Sequence, residues 1–226
     1  MKYAFYLLLA ATSCCTVAAQ DCGGYYFLQN GKTVEMTIYN KKDKITGVQT
    51  YKISDVVKSG TATLATINGE MMNEKGKSLS KSVVKVSCSG NVLNMDMSMY
   101  IPSAQQQQFK NTDATANAVY LQYPATMKAG DALPDGNFSM DMKTDGLNMS
   151  VTVQINNRKV DVKEAVTTPA GTWDCYKITS SQRIQTKMSG IGMPAMNMEV
   201  TEWFVPNFGV VKTDTKYGKT EITAIK

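Results

Sequence analysis

The sequence predicts an all-β protein, an antiparallel meander forming a curved sheet or open half-barrel. Three observations carry this. Apolar and polar residues alternate along most of the chain, helical periodicity is nearly absent, and short polar turn clusters separate the alternating runs. Leu147, Met149, Val151, Val153 and Ile155 point one way, while Asn148, Ser150, Thr152 and Gln154 point the other. Leu93, Met95, Met97 and Met99 alternate with Asn94, Asp96 and Ser98 in the same manner, and Val84, Val86 and Cys88 alternate with Lys85 and Ser87. A period of two describes strands with one buried face.

The chain opens on a secretory signal. Lys2 is followed by an apolar run from Tyr3 to Ala11, and small residues Val17, Ala18 and Ala19 precede Gln20. That run is too short for a bilayer core of roughly 30 Å, which needs about 20 residues, and no second long apolar segment follows. The expectation is therefore a signal peptide over 1–19, no transmembrane segment in the mature chain, and location in the periplasm or at the cell surface. Cys14, after Ala11-Thr12-Ser13, offers a less favoured lipid-anchored alternative.

The remainder, 20–226, has the length of a single β domain. Loss of Lys2 takes the formal charge from +5 to +4, too small and too dispersed for a nucleic-acid footprint. Three cysteines remain: Cys22, Cys88 and Cys175. An odd count in an oxidising compartment means one pair and a free thiol, or an intermolecular link. Tethering of a loose N-terminus favours Cys22–Cys88, with Cys175 buried between Trp173 and Ile178. Spacing alone leaves the other pairings open.

Turn chemistry places the hairpins. Asn40-Lys41-Lys42-Asp43-Lys44, Asn73-Glu74-Lys75-Gly76-Lys77 and Lys216-Tyr217-Gly218-Lys219 each separate two strand-like runs. Asp145-Gly146 and Asn156-Asn157 tolerate positive φ, as tight hairpins require. Pro102 to Ala118, with Gln105 to Gln108, breaks the alternation and reads as a Gln-rich connector, a short helix or loop. It would join two halves, about 20–101 and 119–226. Each half carries a cysteine late in a strand, a weak hint that they are related.

Near the C-terminus, Thr201-Glu202-Trp203-Phe204-Val205-Pro206-Asn207-Phe208-Gly209-Val210-Val211-Lys212 reads as strand, corner and strand. Pro206 cannot donate to a ladder, Asn207 suits a turn, and Gly209 permits close approach. With Asp21-Cys22, Tyr25-Tyr26-Phe27 and Gly171-Thr172-Trp173-Asp174-Cys175, this stretch resembles the TapB-like family of secreted proteins from Bacteroidota. The resemblance spans nearly the whole mature chain. It implies an envelope-located β fold related to curved, open-barrel sheets, some of which carry lipoproteins or lipids in other families. No catalytic residue carries over; Trp173, Trp203, Pro206 and Gly209 form its structural motif.

Catalytic machinery is not visible. The chain holds no histidine, which removes the common triads, His-ligated zinc and the usual general base near neutral pH. The nearest paired carboxylates, Asp141 with Asp145 and Glu199 with Glu202, read as solvated surface. No cofactor motif and no metal site stand out. The expectation is a non-enzymatic protein.

Methionine placement is the most specific functional signal. Met95, Met97 and Met99, Met140 and Met142, Met149, and Met196 with Met198 all fall on expected inward faces. Beyond core packing, flexible thioethers suit an adaptable apolar cavity for a lipid-like ligand. Two other readings stay open. One is a structural or partner-binding envelope protein; the other is a Cu(I) site built on Met193-Pro194-Ala195-Met196-Asn197-Met198 with Cys175 as an added thiolate.

Overall fold

In a computed structural model, residues 22–100, 113–116, 119–144 and 147–226 are described, as backbone alone at a few positions. The signal region, Cys14, the Asp145-Gly146 turn and most of the Gln-rich connector lie outside them. Fourteen strands among the described residues form one antiparallel sheet. The first five are β1 (Thr33–Asn40), β2 (Ile45–Ser59), β3 (Ala62–Asn73), β4 (Ser78–Ser89) and β5 (Val92–Asp96). Two short strands follow, β6 (Asp113–Ala116) and β7 (Tyr120–Pro124). Then come β8 (Gly136–Thr144), the long hairpin β9 (Leu147–Thr168) and β10 (Gly171–Met188), and two-residue β11 (Ile191–Gly192). The chain closes with β12 (Met196–Val205), β13 (Gly209–Thr215) and β14 (Gly218–Ile225).

Pairing runs in chain order and returns on itself, since β14 lies beside β1. The path ends at β6 and β7, which are neighbours in sequence. β6 takes β8 and β7 takes β5, so this stretch of backbone joins first one side of the gap and then the other. The sheet is thereby nearly closed into an up-and-down barrel, and both expected halves contribute to it. The connector thus contains a strand, Asp113–Ala116, where the composition suggests helix or loop.

At the seam a glycine lets two side chains close in. A Cβ on Gly136 would lie 2.5 Å from Met97 Sδ and 2.7 Å from Leu121 Cδ2, so a larger residue there would make both side-chain tips shift. Met97 is not on a strand, as the alternation suggests. β5 ends at Asp96, and Met97–Tyr100 forms a 3-10 turn anchored by Met97 N–H donating to Val119 O at 2.8 Å.

Two turns share one solution. Asn40 Oδ1 accepts from the backbone of Lys42 and Lys44 at 2.8 and 3.2 Å, and Asn73 Oδ1 accepts from Lys75 and Lys77 at 3.0 and 2.9 Å. A left-handed residue follows in each, Asp43 and Gly76. Asn157 is also left-handed, at φ 56°, but it makes no hairpin. It lies inside the continuous β9, where the register against β10 shifts. A bulge absorbs the extra residue, and the strand continues.

One end of the barrel is filled by the N-terminal segment. Cys22–Gly24 and Tyr26–Leu28 form 3-10 turns, and the Cys22–Cys88 disulfide ties them to the end of β4. Closing a loop with sequence separation 66 contributes about 4 kcal/mol on the chain-entropy account. Phe27 packs edge-on against Tyr51 and Phe208, Tyr26 stacks on Phe208, and Trp173 tilts over the same ring at 4.8 Å. Gly209, at φ 136°, brings its backbone so near Phe27 that a Cβ would sit 2.8 Å from the ring. The corner motif is therefore the seat of the N-terminal plug. Trp203 faces outward instead, donating to Glu164 at 2.7 Å beneath the ammonium of Lys212.

Candidate functional site

Strand parity turns one face of nearly every strand inward, and the interior divides into three zones. The plugged end is aromatic, with Tyr25, Phe27, Phe204 and Phe208 buried. The other half holds most of the buried methionines together with Phe138, while Met127 is buried in the loop after β7. Met71, Met140, Met149 and Met198 come from the parts of their strands distant from the plug, and Met95 and Met97 from the matching end of β5; all six are buried. Met99 and Met196 pack against this core while partly exposed. Met142 lies directly across from Met149 in the ladder, and its side chain is outside the described residues. Of the candidate lining residues, then, Met95, Met97, Met140, Met149 and Met198 share the interior. Met193 does not: it is half exposed on the β10–β12 connection.

Between the two zones lies a polar group that the sequence conceals. Arg158 is 1 % exposed and Glu202 3 %. Tyr123 joins them. Its hydroxyl donates to Glu202 Oε2 at 3.0 Å, and the Arg158 guanidinium sits 4.7 Å from its ring centroid. Arg158 also donates to Gln122 O and Pro134 O at 3.1 and 2.9 Å, and Tyr123 stacks on Phe204 at 4.9 Å. The bulge explains Arg158. With Ile155 inward and Asn157 left-handed, the extra residue resets parity so that Arg158 turns in beside Val160. Glu202 needs no such device: it shares parity with Val200 and Phe204, and that parity was the available signal. Solvated surface is thus wrong for Glu202, while Glu199 and Asp141 are exposed.

Cys175 is the buried free thiol, between Trp173 and Ile178 in sequence. Burial, and then the carboxylates of Asp174 and Glu164, push its pKa up to about 12. A neutral thiol is neither a ready nucleophile nor a ready soft-metal ligand. It is also far from the methionine run. Met198 pairs with Gln182, seven residues along β10 from Cys175, or about 23 Å at roughly 3.3 Å per residue. Cys175 therefore cannot complete a copper site there. Maleimide should leave this thiol unlabelled in the native protein between pH 7 and 9 and label it fully in denaturant. Native labelling at a rate near that of a free thiol would contradict the raised pKa and the burial.

Outward faces are mostly polar, although Val57, Val83 and Val162 are exposed on them. On β9, Asn156, Lys159, Asp161 and Lys163 are exposed beside buried Ile155, Arg158 and Val160, the inverse of the apolar-out pattern of a barrel embedded in lipid. Among the described residues, no helix is long and apolar enough to cross a membrane, and no group of three or more acidic or cysteine side chains is placed to hold a metal ion.

Solved structures share this architecture. A protein from Bacteroides fragilis, described as exported and as having a YmcC-like fold, superposes with a TM-score of 0.73 at 19 % identity, covering 88 % of this chain and 96 % of its own. A protein from Parabacteroides distasonis, described as a lipoprotein, superposes at 0.71 and 20 % identity with the same coverage. These likenesses establish the fold. No curated protein matches the sequence. A family model matches residues 29–224, from just after the plug to the end of the last strand, and the chain accordingly belongs to the DUF3108-like family.

Proposed function

We propose that this protein is an exported, non-enzymatic component of the bacterial envelope that holds a lipid-like apolar ligand in the methionine-rich half of its barrel. The observation that carries this is the division of the interior. Aromatic rings and a disulfide-tied plug fill one end, whereas flexible, unbranched thioethers, with Phe138 among them, dominate the other. Methionine adapts its shape to a partner at small cost, which favours it where contents vary. The signal-like N-terminus, the TapB-like resemblance of the C-terminal stretch and the exported and lipoprotein neighbours in fold support the envelope location.

Native mass spectrometry of protein purified gently from a periplasm, followed by denaturation, tests the reading. The expected result is an added mass that denaturation releases as an apolar molecule. A mass equal to the bare polypeptide would remove the ligand and leave the methionines as packing. A copper-sized increment would replace the lipid reading with a metal site among the methionines.

A further inference from the structure

Alternate turns of an up-and-down barrel fall at alternate ends, so the β1–β2, β3–β4, β10–β12 and β13–β14 connections share the rim opposite the plug. The two ends are written in different chemistry. On the far rim, Lys41-Lys42-Asp43-Lys44, Glu74-Lys75-Gly76-Lys77 and Lys216-Tyr217 set six lysines against two carboxylates. That surplus of four equals the formal charge left after loss of Lys2 from a chain of +5. The tight turns at the plugged end, Gly60-Thr61, Gly90-Asn91, Pro169-Ala170 and Pro206-Asn207, carry no charge at all.

The same lysine-rich rim bears the most exposed large apolar side chain among the described residues, Ile191, and two exposed methionines beside it. Ile191 is 75 % exposed and Met193 50 %, with Met188 also out in solvent. This tip is an ordered hairpin. Met188 pairs with Ile191, Met193 N–H donates to Thr186 O at 2.8 Å, and the Gln185 side chain donates to Met193 O. The backbone therefore holds these side chains out of the fold. On the adjoining turn, the exposed Tyr217 ring lies 5.2 Å from the Lys216 ammonium and 6.0 Å from that of Lys41.

We propose that this rim docks on an anionic phospholipid surface. Ile191 and Met193 enter the acyl boundary, the flanking lysines meet headgroup phosphates, and Tyr217 takes the interfacial position that suits an aromatic ring with a polar tip. Aliphatic and thioether tips suit hydrocarbon. A nucleic acid would call instead for a series of aromatic platforms on which bases stack, and the described turns of this rim offer one exposed ring, Tyr217. Docking this way turns the methionine-rich half of the interior toward the membrane, although the inference does not require an interior ligand.

The test is sedimentation of the exported protein with vesicles of phosphatidylcholine, alone or mixed with phosphatidylglycerol. Binding to the mixed vesicles should exceed binding to the neutral ones by about tenfold and weaken as salt rises. The double variant Ile191→Asp/Met193→Asp should lose that binding with an unchanged melting temperature, because both side chains are already exposed. Lys75→Glu/Lys77→Glu should lose the preference for the anionic lipid, while Lys58→Glu, toward the other end, should bind as wild type. Wild-type protein that ignores both vesicles overturns the proposal. So does a loss confined to the lysine variant with equal binding to heparin, which would indicate a soluble polyanion. Neither outcome touches the interior ligand, which native mass spectrometry reads separately.

Discussion

Met97→Asp is expected to abolish the cooperative melting transition or to lower it by about 10 °C or more at neutral pH. Met97 is fully buried, and its sulfur lies where Gly136 leaves room at the seam of the barrel. A carboxylate there meets Leu121 and the start of β8 with no counter-charge among its named neighbours. An uncompensated buried charge costs about 3 kcal/mol or more, and each kcal/mol is worth about 2–4 °C in a chain of this size. Burial disfavours the charged form, so the new carboxyl holds its proton more tightly in the folded than in the unfolded chain. The deficit should therefore shrink as pH falls toward about 4. Met97→Leu, which conserves volume, should cost under about 1.5 kcal/mol. Circular dichroism melts of the two variants at pH 7 and pH 4.5 decide the matter. If Met97→Asp melts like wild type at pH 7, the seam is more open to water than the packing indicates.

Alternation reveals this fold because a closed meander buries one face of every strand, so the same period recurs along the chain. Met149 to Ile155 and Val84 to Cys88 are read correctly for that reason. Turn chemistry is equally legible, since Asn40 and Asn73 each satisfy two backbone donors from a single side chain. Features that depend on non-local geometry are not. A left-handed Asn157 looks the same in a hairpin and in a bulge; only the partner strand, which runs past it unbroken, separates the two. Met97 keeps the inward side that alternation assigns it, although the strand has ended, because Val119 captures its backbone. Asp113–Ala116 becomes a strand because β8 offers a free edge, a cause outside the segment itself. The candidate site follows the same division. Strand parity finds the inward methionines, but the charge of Glu202 hides its inward parity, and Arg158 is placed by a bulge.

Arg158→Met should destabilise the protein by about 3 kcal/mol or more, a cost set by what its loss leaves behind. The guanidinium supplies donors to two backbone carbonyls, Gln122 and Pro134, on the β7 side of the seam and the loop that follows. It also covers the ring of Tyr123, whose hydroxyl is committed to Glu202. Removing it leaves the carbonyls dry, strips a cation from an aromatic face, and takes a positive charge out of the interior that Glu202 shares. Glu202→Gln keeps the shape and an acceptor for Tyr123 while deleting that charge. Its own cost in wild type reflects loss of a favourable interior field, but in the Arg158→Met background it relieves a buried charge from which a nearby cation has been removed. The two substitutions should therefore be non-additive, with an interaction energy within about 0.5–3 kcal/mol. Denaturant unfolding of wild type, both single variants and the double variant measures it directly. Strict additivity would mean that Arg158 and Glu202 are held independently, Tyr123 transmitting nothing between them. A double variant more stable than Arg158→Met alone would show that opposite charges are buried here as a unit, clasping the β7 side of the seam to β9 and β12.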